Sequence, residues 1–184
     1  RATMVGEISF DHCKLGPENL LGRAGMGFFQ MVQTALDNGR FSVALGSLGI
    51  AKACLEDSVR YVKTRKQFGQ YLKDHQLIKQ KIANMITQVK AASLLCYHAA
   101  RLRDEHDPDA VIQTSLAKYH AAQTAFQAAT EAVQIHGALG CHNSLPIQRY
   151  FRDAKIMEII EGTNEIQQIL IADYGINALQ TLIN

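Results

Sequence analysis

Apolar residues recur at helical spacing over three long stretches of this 184-residue chain, and this periodicity constrains the fold more than any other feature. In the second stretch, Ile78, Ile82, Met85 and Val89 fall on one stripe of a helix. The third stretch stops at Gly137, a residue typical of helix C-termini. The predicted helices span residues 25–64, 76–103, 107–135, 144–157 and 164–172.

Turn chemistry separates these helices and sets their relative direction. Asp107 followed by Pro108 is typical of an N-cap with proline at the first helical position. The loops that join the long helices are short, so consecutive helices should run antiparallel. The sequence therefore predicts an all-α fold over residues 24–184, an antiparallel four-helix bundle with trailing helices.

The first 23 residues do not follow the helical pattern. Residues 5–10 alternate as in a β-strand, and Gly16 and Pro17 follow as turn residues. A lone strand cannot satisfy its own edges. We therefore interpret residues 1–23 as the last strand and turn of a preceding β-domain, and we expect this chain alone to carry only part of a site and to be inactive.

The charge of the chain argues against nucleic acid as a partner. The formal net charge is +2 and the pI is about 8.4, with basic residues scattered along the sequence. A Gly-x-Gly-x-x-Gly segment does not occur, which argues against a nicotinamide-binding fold. No run of about 18 apolar residues and no signal peptide is present, so we expect neither membrane insertion nor a targeting segment.

The cysteines and histidines do not form a metal-binding pattern. The four cysteines are far apart and include no Cys-x-x-Cys pair, so we interpret them as free thiols in a reducing compartment. His136 and His142 lie near Cys141, but no second cluster completes a ligand set. The sequence therefore predicts no metal site.

Glu161 is the candidate catalytic residue. It ends a largely apolar run and stands directly before Gly162, where a new helix is about to start. Apolar surroundings disfavour the charged carboxylate, which suits a general base working near neutral pH. The spacing of Asn164 and Gln167 predicts a capping box at the start of the last helix. The alternative is a solvated glutamate that only stabilises the helix dipole.

Five segments of the chain together resemble the C-terminal domain of the acyl-CoA dehydrogenase family. Each is a weak signal alone, but all five occur in the family's order and span nearly the whole chain. They are LDNGR at 36–40, RKQFG at 65–69, QIHGALG at 134–140, RDAKI at 152–156 and EGT at 161–163.

The resemblance implies a flavoenzyme that oxidises an acyl thioester, acyl-CoA, to its trans-2-enoyl form, with FAD held between a β-domain and the helical domain. Glu161 matches the glutamate that removes the α-proton while FAD takes the β-hydride. Some relatives place the base one residue before the arginine matched by Arg40, and here that residue is Gly39. The backbone N–H of Glu161, with a flavin ribityl hydroxyl, would stabilise the enolate charge.

The same resemblance assigns further residues to the cofactor and the substrate. Thr163 and Glu165 match contacts to the FAD of the same subunit, and Asp37, Arg40 and Gly162 match positions near the substrate. Contacts to the FAD of a neighbouring subunit are matched by Arg65, Gln67, Phe68, Gln134, Gly137 and Ala138.

Assembly and electron transfer are also implied by the family. A homo-oligomer, dimer or tetramer, is expected, with an electron-transferring flavoprotein or similar protein as electron acceptor. The expected location is the bacterial cytoplasm or the mitochondrial matrix.

Alternatives remain open. Family members that act on carrier-protein-bound thioesters look similar in this region, and a bundle that only mediates assembly is a non-catalytic alternative. Flavin oxygenases of this fold generally lack the EGT glutamate, so Glu161 argues against that branch.

Three residues, Ala138, Cys141 and Ile160, replace residues frequent in the family, which leaves the acyl chain length open. From their spacing alone, Asp37 and Arg40 would form an (i, i+3) ion pair.

Overall fold

A computed structural model describes residues 5–182 of the chain. Six α-helices dominate this part, and the only strands in it form one short antiparallel hairpin. The helices are α1 (Gln33–Thr64), α2 (Gln76–Asp104), α3 (Ala110–His136), α4 (Ala138–Cys141), α5 (Ile147–Met157) and α6 (Asn164–Leu182), and the strands are β1 (Lys66–Gln67) and β2 (Gln70–Tyr71). The predicted all-α fold is confirmed.

Helix α3 is the centre of the bundle, and it packs against α1, α2, α5 and α6. Its buried face is built largely from alanine, which has no bulky side chain and lets neighbouring helices approach closely. Larger apolar side chains from the other helices, such as Leu48, Met85 and Ile147, fill the remaining space. This arrangement places the N-terminal half of α3 beneath the loop that joins α5 to α6.

The predicted helix boundaries hold for the long helices and fail near turns. A π-helical turn, Gly27–Val32, runs directly into α1, in line with the predicted start near residue 25. Helix α3 begins later than predicted, because Asp107 Oδ1 accepts the N–H of Asp109 at 2.8 Å and forms a separate turn before the helix. Helix α4 was not predicted, and α6 continues well beyond the predicted residue 172.

The hairpin at the end of α1 was not predicted by periodicity. Its two turn residues, Phe68 and Gly69, have φ of 51° and 81°, which is typical of a type I′ turn. A positive φ is unfavourable for a bulky side chain. Phe68 is nevertheless held there with 94% of its surface exposed, at the tip of the hairpin.

The predicted strand at residues 5–10 is not formed within the described part of the chain. These residues adopt no helix or strand and expose large apolar side chains, including Val5, Ile8 and Phe10. A strand requires a hydrogen-bonded neighbour, and residues 5–182 supply none for this segment.

All four cysteines are free thiols. Burial raises the pKa of Cys54 to about 12 and that of Cys96 to about 11, so both stay protonated and unreactive at neutral pH. None of the helices in the described residues is long and apolar enough to cross a membrane.

Candidate active site

Glu161 lies in the loop between α5 and α6, residues 158–163, which we call the EGT loop. The N–H of Asn164 donates to the carbonyl of Glu158 at 2.9 Å and closes the turn. Glu161 and Gly162 both have positive φ, 55° and 87°. A non-glycine residue in this region costs about 1–3 kcal/mol and is typical of functional sites. Glu161 therefore occupies a strained position that the surrounding contacts must maintain.

Three helices hold the EGT loop by its carbonyl oxygens. Arg40 on α1 donates its Nε to the carbonyl of Glu161 at 3.3 Å. Gln167 on α6 donates its Nε2 to the carbonyls of Glu161 and Gly162, at 3.4 and 3.3 Å. Lys118 on α3 donates its Nζ to the carbonyl of Gly162 at 2.9 Å. The backbone of the loop is thus fixed against the bundle.

Lys118 is fully buried, which is rare for a lysine. Its Nζ also donates to the carbonyl of Glu158 at 3.5 Å and to Asn164 Oδ1 at 3.2 Å. Burial lowers the pKa of Lys118 to about 8, and the nearby Glu158 carboxylate opposes part of this shift. An ammonium group therefore lies beneath the EGT loop at neutral pH.

The Glu161 carboxylate lies against the backbone of α1 at Gly39. A Cβ atom built on Gly39 would overlap the Cδ and Oε2 atoms of Glu161, so any larger residue at position 39 requires the carboxylate to move. Ile159, which belongs to the apolar run before Glu161, is 48% exposed. Within residues 5–182 the N–H of Glu161 donates to no other atom, so it remains available to a ligand.

The predicted capping box at Asn164 and Gln167 is wrong by one residue. Thr163 caps α6, because its Oγ1 accepts the N–H of Ile166 at 3.4 Å. Asn164 and Gln167 instead turn inward to Lys118 and to the loop carbonyls. The backbone N–H of Glu165 itself, with the Thr163 hydroxyl, holds the pKa of the Glu165 carboxyl below its usual value.

Asp37 and Arg40 do not form the (i, i+3) ion pair that their spacing suggested. Asp37 pairs with Arg103 on α2 at 2.5 Å, and Arg103 also donates to Asn38 at 2.5 Å and to Thr114 at 3.3 Å. Arg40 is left free to reach the EGT loop. The two residues therefore have separate roles at the same end of α1.

A groove of about 730 Å³ runs from Arg40 between α1, α3 and α6. Such a groove, mostly apolar with a few polar side chains, suits a ligand with an extended apolar portion. Asp37 and Ser115 add polar groups to its wall. The apolar and aromatic residues lining it are Phe28, Leu36, Pro108, Val111, Ile112, Ile166, Leu170 and Tyr174.

A second group of predicted site residues lies at the opposite end of α1. Residues 65–68 lie at and just beyond its C-terminus, and residues 134–138 lie at the C-terminus of α3. The stacking of Tyr61 on His136, with ring centroids 4.3 Å apart, joins these two ends. All six predicted residues of this second group are exposed: Arg65, Gln67, Phe68, Gln134, Gly137 and Ala138.

The two groups are too far apart to serve one cofactor within one chain. Helix α1 has 32 residues and is therefore about 48 Å long. Asp37, Arg40 and Glu161 lie towards its start, whereas Arg65 follows its end. Arg40 and Arg65 are 25 residues apart along this axis, about 38 Å, which is more than one dinucleotide spans.

The sequence did not identify three residues as parts of the site: Lys118, Arg103 and Gln167. The one available signal was Lys118 itself, a charged residue on a stripe that is otherwise formed by the small residues Thr114, Ala121 and Ala125. The contacts of Arg103 join residues far apart in sequence, which a local pattern does not reveal.

The chain matches known proteins along most of its length. A family model described as the C-terminal domain of acyl-CoA dehydrogenase matches residues 25–175. The chain is 41% identical over 174 residues to the mitochondrial short-chain specific acyl-CoA dehydrogenase of Mus musculus, covering 95% of this chain and 42% of that protein. It is 39% identical over 168 residues to the caffeyl-CoA reductase-Etf complex subunit CarC of Acetobacterium woodii, covering 91% of this chain and 44% of that protein.

The fold agrees with a solved structure. Butyryl-CoA dehydrogenase from Megasphaera elsdenii matches with a TM-score of 0.81 and 43% identity, over 86% of this chain and 41% of that one. The chain thus spans less than half the length of these relatives.

Proposed function

This chain belongs to the acyl-CoA dehydrogenase family, and from that premise we propose that it is the helical domain of an FAD-dependent enzyme that converts an acyl-CoA to the trans-2-enoyl-CoA. The observation that carries the proposal is the position of Glu161. Its backbone is fixed by three helices, its carboxylate lies over Gly39, and its N–H is free. A β-domain that precedes residue 24 would complete the site.

In this proposal Glu161 removes the α-proton of the acyl thioester. The developing enolate carries negative charge on the thioester oxygen, and the free N–H of Glu161 is a donor suited to it. Bound FAD would accept the β-hydrogen as hydride. The apolar groove beside Arg40 would accommodate the extended part of the substrate, with Asp37 and Gly162 on the substrate side.

The residues at the far end of α1 fit a flavin dinucleotide held by a neighbouring subunit. The Arg65 guanidinium forms no ion pair within residues 5–182, so it can bind a pyrophosphate. Gly137 has a φ of 62°, and a Cβ built there meets no atom within 4 Å, which leaves room for a ligand close to the backbone. The surface around Arg65 and Gly137 also includes Gln67, Phe68, Gln134 and Ala138.

Thr163 and Glu165 would contact the FAD of the same subunit, since both follow Glu161 within four residues, Thr163 just before α6 and Glu165 in its first turn. The separation of about 38 Å between Arg40 and Arg65 along α1 supports two flavin contacts in different subunits, and thus a homo-oligomer. We further propose an electron-transferring flavoprotein as acceptor, a type of partner suggested by the name of the CarC complex.

Anaerobic titration of the holoenzyme with a series of acyl thioesters tests this proposal. A dehydrogenase bleaches its flavin and forms one enoyl product per flavin, for at least one member of the series. Tests of the CoA and carrier-protein forms of that acyl group separate the two substrate classes. A flavoprotein that no acyl thioester reduces would favour the non-catalytic, assembly role.

Replacement of Arg65 by alanine should weaken FAD binding and oligomer stability together. Loss of a charge-assisted hydrogen bond costs about 1.5–3 kcal/mol, so FAD affinity should fall roughly 10–100-fold. Excess FAD should restore most of the lost thermal stability through mass action. FAD content and melting temperature, measured with and without added FAD, check this expectation.

Arg101→Ala is the matched control, because Arg101 is exposed at the end of α2 and pairs only with Glu105 among the described residues. The Arg101→Ala substitution should leave both the FAD content and the melting temperature unchanged. An Arg65→Ala protein with stoichiometric FAD and an intact oligomer would show that Arg65 is an ordinary surface residue.

A further inference from the structure

Lys118 is a buried cation whose hydrogen bonds all go to uncharged oxygens. The carboxylate that most favours its charge, that of Glu158, accepts instead from Lys155 at 2.7 Å and from Asn164 Nδ2 at 3.4 Å. A buried charge without a directly bonded counter-ion is expensive. Its retention at this position calls for a role beyond packing.

The partners of Lys118 lie at both ends of the EGT loop. Nζ bonds to the Glu158 carbonyl at the start of the loop, and to the Gly162 carbonyl and Asn164 Oδ1 at its end. One side chain therefore connects the two ends of the turn that contains Glu161. The N–H of Glu161, within the same turn, has no acceptor in the described part of the chain.

Charged groups face Lys118 from each element around it. Arg40 lies on α1, Glu158 and Glu161 belong to the loop, and Glu165 lies on α6. The charge of Lys118 thus acts on the Glu161 carboxylate as well as on the loop backbone.

We propose that Lys118 is a positioning residue for Glu161, one that holds the EGT loop in its strained form so that the Glu161 carboxylate and N–H both face the substrate. This inference rests on the proposed dehydrogenase function. Lys118 acts through the loop and does not touch the substrate.

The pH dependence of the wild-type enzyme follows from the same contacts. The pKa of Lys118 is about 8, so the ammonium is lost as the pH rises through that value. The neutral amine has fewer hydrogens to donate and a weaker attraction for the carbonyls. Flavin reduction by an acyl thioester should therefore slow on the alkaline side of pH 8.

Lys118→Met in the holoenzyme tests the proposal, because methionine has a similar length and no charge. The rate of flavin reduction at saturating substrate should fall roughly 10²-fold, as expected for a misplaced catalytic group, while FAD content stays stoichiometric. The decrease in rate above about pH 8, which is the alkaline limb of the pH–rate profile, should disappear in this variant. Lys81→Met is the matched control, since Lys81 pairs with Glu131 between α2 and α3, and its rate should match the wild type.

Asn164→Asp provides a second variant if Lys118→Met yields no FAD-loaded protein. A carboxylate beside Lys118 favours the charged amine, so the alkaline limb should move to higher pH. A folded Lys118→Met enzyme that reduces its flavin within threefold of the wild-type rate would overturn the inference, as would an alkaline limb that stays in place in Asn164→Asp. A wild-type holoenzyme that no acyl thioester reduces would instead refute the proposed function.

Discussion

Replacing Glu161 by glutamine in the holoenzyme should lower the rate of flavin reduction by an acyl thioester roughly 10²–10⁴-fold, the loss typical of removing a general acid or base. Glutamine keeps the shape of the side chain and its hydrogen-bonding capacity but does not accept the α-proton. The loop contacts to Arg40, Lys118 and Gln167 involve backbone carbonyls, so they should survive the change. Stopped-flow measurement of flavin bleaching under anaerobic conditions provides the rate.

FAD content and oligomeric state should barely change in Glu161→Gln. Glu105→Gln is a suitable control, because Glu105 is an exposed carboxylate just beyond the end of α2 that pairs with Arg101. It should reduce its flavin at the wild-type rate. Near-native flavin reduction by Glu161→Gln would mean that another group removes the proton.

Replacing Gly39 by alanine should separate activity from stability. The new methyl group would occupy the space of the Glu161 carboxylate, which must then move away from α1. A displacement of about 1 Å in a catalytic group can cost roughly 10²-fold in rate. Alanine is a better helix former than glycine by about 0.5–1 kcal/mol, so the melting temperature should not fall. Flavin-reduction rates and thermal unfolding of the same samples check both expectations.

Gly46→Ala offers a matched comparison on the same helix. A Cβ at Gly46 meets no atom of the described chain within 4 Å, so the substitution should leave the rate unchanged. If Gly39→Ala and Gly46→Ala had equal activity, the carboxylate of Glu161 would not depend on the space at Gly39. A loss of FAD or of folded protein in Gly39→Ala would point to packing at this position.

The extent of the long helices follows from local chemistry, and this explains why the sequence predicts them well. The apolar stripe of α2 and the glycine that ends α3 act within a few residues of each other. The sequence pattern does not predict the hairpin at Lys66–Tyr71, because its strands are too short to show the alternation of apolar and polar residues typical of a strand. The sequence pattern does not predict helix α4 either, because its four residues form a single turn and show no helical periodicity.

The sequence predicts a candidate base, but not the structure around it. The resemblance of the EGT segment to the family proposes Glu161 for this role. Its support comes from Arg40 and Lys118, which are 121 and 43 positions away in the chain, so only the packing of α1 and α3 brings them to the loop. The misplaced capping box has the same origin, since the tertiary contact with Lys118 recruits Asn164 and leaves Thr163 as the cap.

The α-proton exchange of a substrate analogue tests the central proposal, that Glu161 is the base, most directly. An acyl thioester with sulfur in place of the β-methylene can lose an α-proton but has no β-hydrogen to transfer. With the wild-type holoenzyme in D₂O, we expect the α-proton signal of this analogue to disappear from the ¹H NMR spectrum, and we expect it to persist with Glu161→Gln. Equal exchange in the two proteins would contradict the assignment of Glu161 as the base.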